Sequence, residues 1–130
     1  MSTPCNIAVK TYTVYKTIYC HWDGYPSHMY PMLRDWYGTK ERAEALVSFG
    51  DASSINRLLV PPKDSDHSFA KPDRDTCVFY HRDRGESWDD VSPWVYTREQ
   101  LFNLQRYVYI FEDGQWKAYV NGQEVADYNF

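Results

Sequence analysis

Two short stretches concentrate the side chains that could do chemistry. Tyr19-Cys20-His21-Trp22-Asp23-Gly24-Tyr25-Pro26 and Tyr80-His81-Arg82-Asp83-Arg84-Gly85-Glu86 each close a β-like run and each set a histidine two residues before an aspartate. Strand ends collect functional side chains because a rigid scaffold positions the loops there. Brought together, His21, Asp23, His81, Asp83 and Glu86, joined by His67, would offer nitrogen and oxygen ligands to zinc or manganese, with Arg82 or Arg84 clamping a phosphate. That set suits a metal-assisted phosphoesterase or nuclease. The same residues also have a structural reading. Asp23 turns the chain through its side chain before Gly24, and the charges from Arg82 to Glu86 pair to fasten strand ends. Neither H-x-H nor H-E-x-x-H spacing occurs, so the expectation is no metal and no cofactor; enzymatic activity is left open, with the structural reading ahead.

Other signatures fail as well. The chain has no G-x-S-x-G elbow, Walker loop or G-x-G-x-x-G, and its 6 glycines stand singly, unable to cradle a nucleotide phosphate as a glycine-rich loop does. Cys5, Cys20 and Cys77 are odd in number and far apart, which argues against a disulfide scaffold. Tyr107, Tyr109 and Phe111 alternate along one strand as an RNA-binding sheet face would, yet Lys117 is the sole base among residues 110–130. Direct nucleic-acid binding is therefore not expected.

Ser87-Trp88-Asp89-Asp90-Val91-Ser92-Pro93-Trp94 has another character. Two tryptophans flank an acidic turn, and tryptophan in a polar segment either plugs a satellite core or anchors a partner. Asp83, Glu86, Trp88, Asp89, Asp90 and Trp94 thus form the candidate binding set, suited to a basic patch such as the groove of a nucleic-acid-binding protein.

The elements that must position these residues are legible from spacing. Ile7 to His21 is rich in β-branched and aromatic residues and predicts a hairpin turning between Thr11 and Val14. Met29, Leu33 and Trp36 at helical spacing predict a helix over Ser27–Tyr37, with Pro31 delaying or kinking its start. Thr39 caps a second helix that runs to Phe49 and stops at Gly50, and the two helices should pack as a pair. Residues 51–74 read as a long loop, Thr76–His81 as a strand, Arg82–Asp90 as a polar connection and Arg98–Leu104 as a short helix. Asp113-Gly114 and Asn121-Gly122 are strong two-residue hairpin signals. They set Phe111 opposite Trp116 and Tyr109 opposite Ala118, with Tyr107, Tyr109, Phe111, Trp116, Ala118, Val120 and Val125 as the buried face. The expected architecture is α+β: a single 1–130 domain with an antiparallel sheet, a helix pair after the first strands and a C-terminal β-meander.

Composition agrees. The chain is 43% hydrophobic and 25% charged, with a net charge of −4 and 12 Tyr and 5 Trp, ordinary globular values except for the aromatic surplus. No apolar run approaches the roughly 20 residues of a membrane span, so the expectation is a cytoplasmic protein without membrane attachment.

Ile18-Tyr19-Cys20-His21-Trp22-Asp23-Gly24-Tyr25-Pro26, a helix pair ending at Gly50-Asp51, His67-Ser68-Phe69 and Tyr80 to Glu86 together resemble an uncharacterised family of small proteins encoded largely by phages, prophages and other mobile elements. The motif residues are His21, Trp22, Asp23, Tyr25, His81, Arg82 and Arg84. The resemblance implies a mobile-element setting and carries over no reaction or ligand. With the aromatic surplus it leads to the expectation of a small protein that binds a host protein inside the host cell and inhibits an antiviral defence, the metal-assisted phosphoesterase being the alternative.

Overall fold

A computed structural model of the chain describes residues 2–125, so position 1 and positions 126–130 of the expected domain lie outside it. In chain order the elements are β1 (Cys5–Thr11), β2 (Val14–Cys20), α1 (Pro26–Trp36), α2 (Lys40–Ser48), β3 (Ala52–Ser54), β4 (Val78–Phe79), α3 (Tyr80–Arg84), α4 (Trp88–Val91), β5 (Trp94–Tyr96), α5 (Arg98–Phe102), β6 (Tyr107–Glu112), β7 (Gln115–Val120) and β8 (Gln123–Val125). The fold class is α+β, and one sheet carries every described strand in the order β4-β3-β2-β1-β6-β7-β8, with β5 added to β2.

The sheet is mixed, which corrects the expected all-antiparallel arrangement. The meander joins the first hairpin by laying β6 parallel to β1, Cys5 to Val9 along Tyr107 to Phe111, and β3 meets β2 in parallel at Ala52 and Cys20. A parallel neighbour needs a crossover rather than a tight turn, so adjacent strand patterns alone do not disclose it. The local hairpins follow their turn chemistry. Asp113 and Gly114 have φ of 55° and 78°, Asn121 and Gly122 have 52° and 80°, and the pairs Phe111–Trp116 and Tyr109–Ala118 form as expected. The first hairpin turns at Tyr12-Thr13.

Alternation gives the sheet two faces. Ile7, Val9, Ile18, Tyr109, Phe111, Trp116 and Ala118 line the first, closed by Met29, Leu33, Ala43, Leu46 and Val47 of α1 and α2. The two helices lie on the sheet, α1 on β7 and α2 on β1 and β2, rather than chiefly on each other, a correction to the expected pair. Trp116 Nε1 donates to the last carbonyl of this layer, Tyr37 O, at 2.8 Å. Pro31 lies inside α1 without delaying its start, because Pro26 opens the helix at a position where its missing N–H costs nothing. α2 starts where Thr39 accepts from Arg42 N at 3.2 Å and ends before Gly50, whose φ of +83° and contact with Val91 O leave no room for a side chain.

The second face is also buried over β1, β6 and β7, where Ala8, Val108, Ile110 and Tyr119 pack with Tyr15 under Leu101 of α5. Thr97 and Gln100 cap α5 reciprocally. The expectation that only one face of the meander is buried is thereby corrected. The polar residues that made this face look mixed are engaged: Arg98 Nη1 donates to both Glu112 carboxylate oxygens at 3.1 Å and to Tyr15 Oη at 2.9 Å, and its Nη2 donates to Tyr119 Oη at 2.6 Å.

Candidate functional site

Cover on the second face thins along β2, where Tyr15 and Thr17 are buried and Tyr19 is half-buried. On that side of β2 lie Tyr15, Thr17 and Tyr19 in alternation, and β5 aligns Trp94 opposite Thr17 and Tyr96 opposite Tyr15. Trp94 is therefore one position along from Tyr19 on the same face, and it is 62% exposed. Beyond the strand, His21 Nδ1 and Tyr19 Oη share a hydrogen bond of 2.7 Å, and the His21 ring meets the exposed Trp22 edge-on at 4.8 Å. Tyr80 enters from α3 beside Ser53, with burial raising its phenol pKa while Ser53 and Arg84 offset part of that. The Arg84 guanidinium lies over the Tyr80 ring at 4.5 Å and the Phe69 ring at 4.7 Å. An aromatic surface results, drawn from β5, the end of β2, the 61–75 segment and α3.

Asp51 holds this surface together from beneath. Its Oδ1 accepts from Tyr19 N at 2.8 Å, its own N–H donates to Val91 O at 2.8 Å, and its carbonyl accepts from Tyr80 N at 3.2 Å. One residue thus fixes β2, α3 and α4 relative to one another. Burial raises the Asp51 carboxyl above its ordinary pKa, and the Tyr19 N–H offsets part of that.

The second histidine-aspartate stretch folds as helix, where a strand over Thr76–His81 and a polar connection were expected. β4 is only Val78–Phe79, and α3 and α4 follow, separated by the left-handed Gly85 at φ +76°. The Asp83 side chain reaches back to accept from Phe79 N at 2.8 Å and pairs with Arg82 Nε at 2.9 Å, which itself donates to Cys77 O at 2.8 Å through Nη2. His67 Nδ1 accepts from Asp73 N at 2.9 Å, and Nε2 stands 3.2 Å from Asp83 Oδ2, outside good hydrogen-bond alignment. These two side chains, 2% and 6% exposed, clasp the 61–75 segment to α3. Burial pushes the Asp83 carboxyl up, but Arg82, Phe79 N–H and His67 outweigh it and hold it below the ordinary range.

The candidate ligand set is thus dispersed in role. His81 Nδ1 binds Glu86 O at 2.8 Å and its ring meets Trp88 at 5.1 Å, Asp83 is locked by Arg82, and Asp23 is an exposed turn residue at φ +57°. Among the described residues no three His, Cys, Asp or Glu side chains gather as a metal ion would require. Of the candidate binding set, Asp83 faces inward and Glu86 pairs with Arg84 at 2.8 Å, while Asp89 and Asp90 are exposed on α4. Trp88 is 39% exposed, its indole leaning on Gly50 and His81. Tyr25 is exposed beside His28, and Gly24 behind it is packed so tightly that a Cβ would lie 2.7 Å from Cys5 Cβ and Thr3 O. The motif glycine thus lets the loop close, and Trp22 and Tyr25 remain outside. Asp51, Ser53 and Phe69 escaped the site reading; Asp51 and Phe69 stand in the resemblance pattern, and nothing local marks Ser53.

Chemically this surface is aromatic and polar. It offers indole and phenol rings, a stacked guanidinium and hydroxyls. The chain matches no family model, no curated protein and no solved structure. Among the described residues no helix is long and apolar enough to cross a membrane.

Proposed function

We propose that the protein is a small phage or mobile-element product that binds a host protein in the cytoplasm and thereby inhibits an antiviral defence. The observation that carries the binding part is Trp94, 62% exposed beside Val95 at 58% on a three-residue strand that pairs with β2 and with no other described strand. A core gains nothing from rings left in water, whereas large rigid rings near an interface centre supply most of its energy. The exposed carboxylates of Asp89 and Asp90 nearby favour a basic patch on the partner, such as that of a nucleic-acid-binding defence component. The resemblance of the His21 and His81 motifs to mobile-element proteins supports the setting. The phosphoesterase alternative draws less support, because His81, Asp83 and Glu86 spend their polar atoms on neighbours.

The test is capture from defence-bearing host cells with the wild-type chain and with Trp94→Ala, alongside phage plating on those cells. The reading expects one host protein retained by the wild type, lost by more than tenfold in the variant at unchanged melting temperature, and restored plating only with the wild type. Equal capture by both chains, or no effect on plating, overturns it.

A further inference from the structure

Cys5 opens β1 and Cys20 closes β2, and the hairpin register sets their Cα atoms directly opposite each other. Opposed residues point to the same side of a sheet, and both side chains belong to the buried first face. The kind of rung follows from the turn. A two-residue turn makes Thr11 and Val14 a hydrogen-bonded pair, and each second rung repeats it, through Val9–Lys16 and Ile7–Ile18 to Cys5–Cys20. The Tyr19 N–H, directed away from β1 to Asp51, agrees with that count. Opposed Cα atoms in such a pair stand about 5.5 Å apart, inside the range of roughly 4.4–6.8 Å that a disulfide spans.

The loop of the first motif lies over this pair. Gly24 covers Cys5 so closely that a Cβ there would stand 2.7 Å from Cys5 Cβ. Gly24 N–H donates to Thr3 O at 2.7 Å and Gly24 O accepts from Tyr109 Oη at 2.6 Å, which hold the cover down. The Cys20 thiol faces two carbonyls as a donor, Trp22 O at 3.5 Å and Ser53 O at 3.8 Å. Burial, and then the hydrogen bond with Cys20, push the Cys5 thiol well above its ordinary pKa, which keeps it unreactive while the loop is closed. Cys77 is engaged elsewhere, with Tyr37 Oη at 3.3 Å and Asn56 N at 3.3 Å. Either cysteine alone would pack as a small apolar side chain. Two facing thiols have a chemistry that neither has singly.

We propose that Cys5 and Cys20 are a reversible redox pair that closes to a cross-strand disulfide and, in closing, displaces the 21–25 loop. The oxidant is hydrogen peroxide. As the loop opens, one thiol loses its proton and its sulfur attacks the O–O bond, forming a sulfenic acid and releasing water. The facing thiol then attacks that sulfur, the S–S bond forms, and the hydroxyl leaves with the second proton as another water. Two electrons thus pass from the two thiols to the peroxide. Cβ atoms of a hydrogen-bonded rung stand about 5.5 Å apart and a disulfide draws them to about 3.8 Å, so the bond is strained and readily reduced. Gly24 leaves Cys5 no slack, and a disulfide sulfur donates nothing to Trp22 O, so the loop gives way. Trp22 and Tyr25 ride on that loop, and oxidation re-aims both exposed rings. This inference is independent of the host-protein reading, since neither Trp94 nor a partner enters it.

The test treats the full chain with hydrogen peroxide under native conditions, blocks remaining thiols and digests with trypsin without reductant. Mass spectrometry should find residues 1–10 joined to 17–34, two hydrogens lighter than their sum, and separated again by dithiothreitol. Amide exchange over 21–25 should quicken about tenfold or more in the oxidised chain and return with dithiothreitol, while 109–118 exchanges as in the reduced chain. A linkage that forms only in urea overturns the proposal, as do pairing through Cys77 or between chains and thiols oxidised singly or not at all. So does a Cys5–Cys20 bond that leaves exchange over 21–25 unchanged.

Discussion

Under α1 and α2 the sheet presents Ile7, Ile18, Tyr109, Phe111 and Trp116, and polar groups there are few and spoken for, as with Trp116 Nε1 on Tyr37 O. Under α5 the apolar layer is thin, and a buried Glu112 holds Arg98, Tyr119 and, through Arg98, Tyr15. Farther along that second face, toward the end of β2, cover thins, and the half-buried rings of Tyr19 and His21 and the exposed ring of Trp94 meet solvent. The same sheet is therefore sealed by apolar area on one side and fastened by charge on the other. A five-residue helix supplies too little apolar surface to seal a face, so Arg98 does part of the fastening and the remainder of the face stays uncovered.

Four substitution experiments sharpen this contrast. The largest effect belongs to the apolar side: Trp116→Ala should cost about 3–5 kcal/mol in a urea titration, enough to threaten a fold of ordinary stability. On the charged side, Arg98→Met should cost about 2 kcal/mol, below the range for a fully buried pair because Arg98 keeps water contact and Lys117 remains 3.8 Å from Glu112. Pairing it with Glu112→Gln should recover part of that loss, and a double variant less stable than Arg98→Met alone contradicts the charge-fastening account.

The carboxyls around α3 give opposite pH signatures. Asp83 is held below its ordinary pKa, so its pairing stabilises the fold fully above about pH 4 and the benefit fades as pH falls through the lowered value. Asp83→Asn should therefore cost about 1–2 kcal/mol at neutral pH, with the gap to wild type closing in acid. Asp51 lies above its ordinary pKa, so ionising it costs stability as pH rises from about 4 through the raised value. Asp51→Asn keeps an acceptor for Tyr19 N and should gain a few tenths of a kcal/mol at neutral pH and nothing in acid. Urea midpoints measured across pH 3–7 check both signs, and parallel pH curves for the two variants overturn the assignment.

The smallest stability effect is expected at Trp94. Trp94→Ala should change stability by no more than about 0.5 kcal/mol, as surface substitutions do, while Trp88→Ala, which removes the indole from Gly50 and His81, should cost about 1–2 kcal/mol. Thermal melts of the pair distinguish a ring that packs from one that waits for a partner. Equal losses would remove that distinction.

Legibility followed range in sequence. The Asp113-Gly114 and Asn121-Gly122 turns, the Thr39 cap and the Gly50 stop were readable because each is decided within a few residues. The parallel docking of β6 on β1 was not, since no residue near either strand encodes the other. α3 was read as strand and loop because Tyr80 to Arg84 is too short to show helical periodicity, and its Arg82 and Asp83 are held from afar by Leu59 O and His67. Lys117 made the second face look half solvated, because the Glu112 it approaches is held by Arg98, which lies on α5 outside the meander. For the site, residue types identified His21, Arg84 and Trp94 as separate prospects; that Tyr19, Ser53 and Asp51 connect them is a property of the sheet.

The parallel pairing of β1 with β6 also sets an order of events on the ribosome. β1 is the middle rail of the finished sheet, yet one of its two edges stays open until residues 107–111 have been made. Until then the emerging chain holds a hairpin, β1 with β2, whose free edge carries Cys5, Ile7 and Val9. Contacts this distant in sequence fold slowly and expose strand edges to neighbouring chains meanwhile. Yield during synthesis is therefore governed by how long that edge waits, and chains cut short before β6 should aggregate even with both long helices in place.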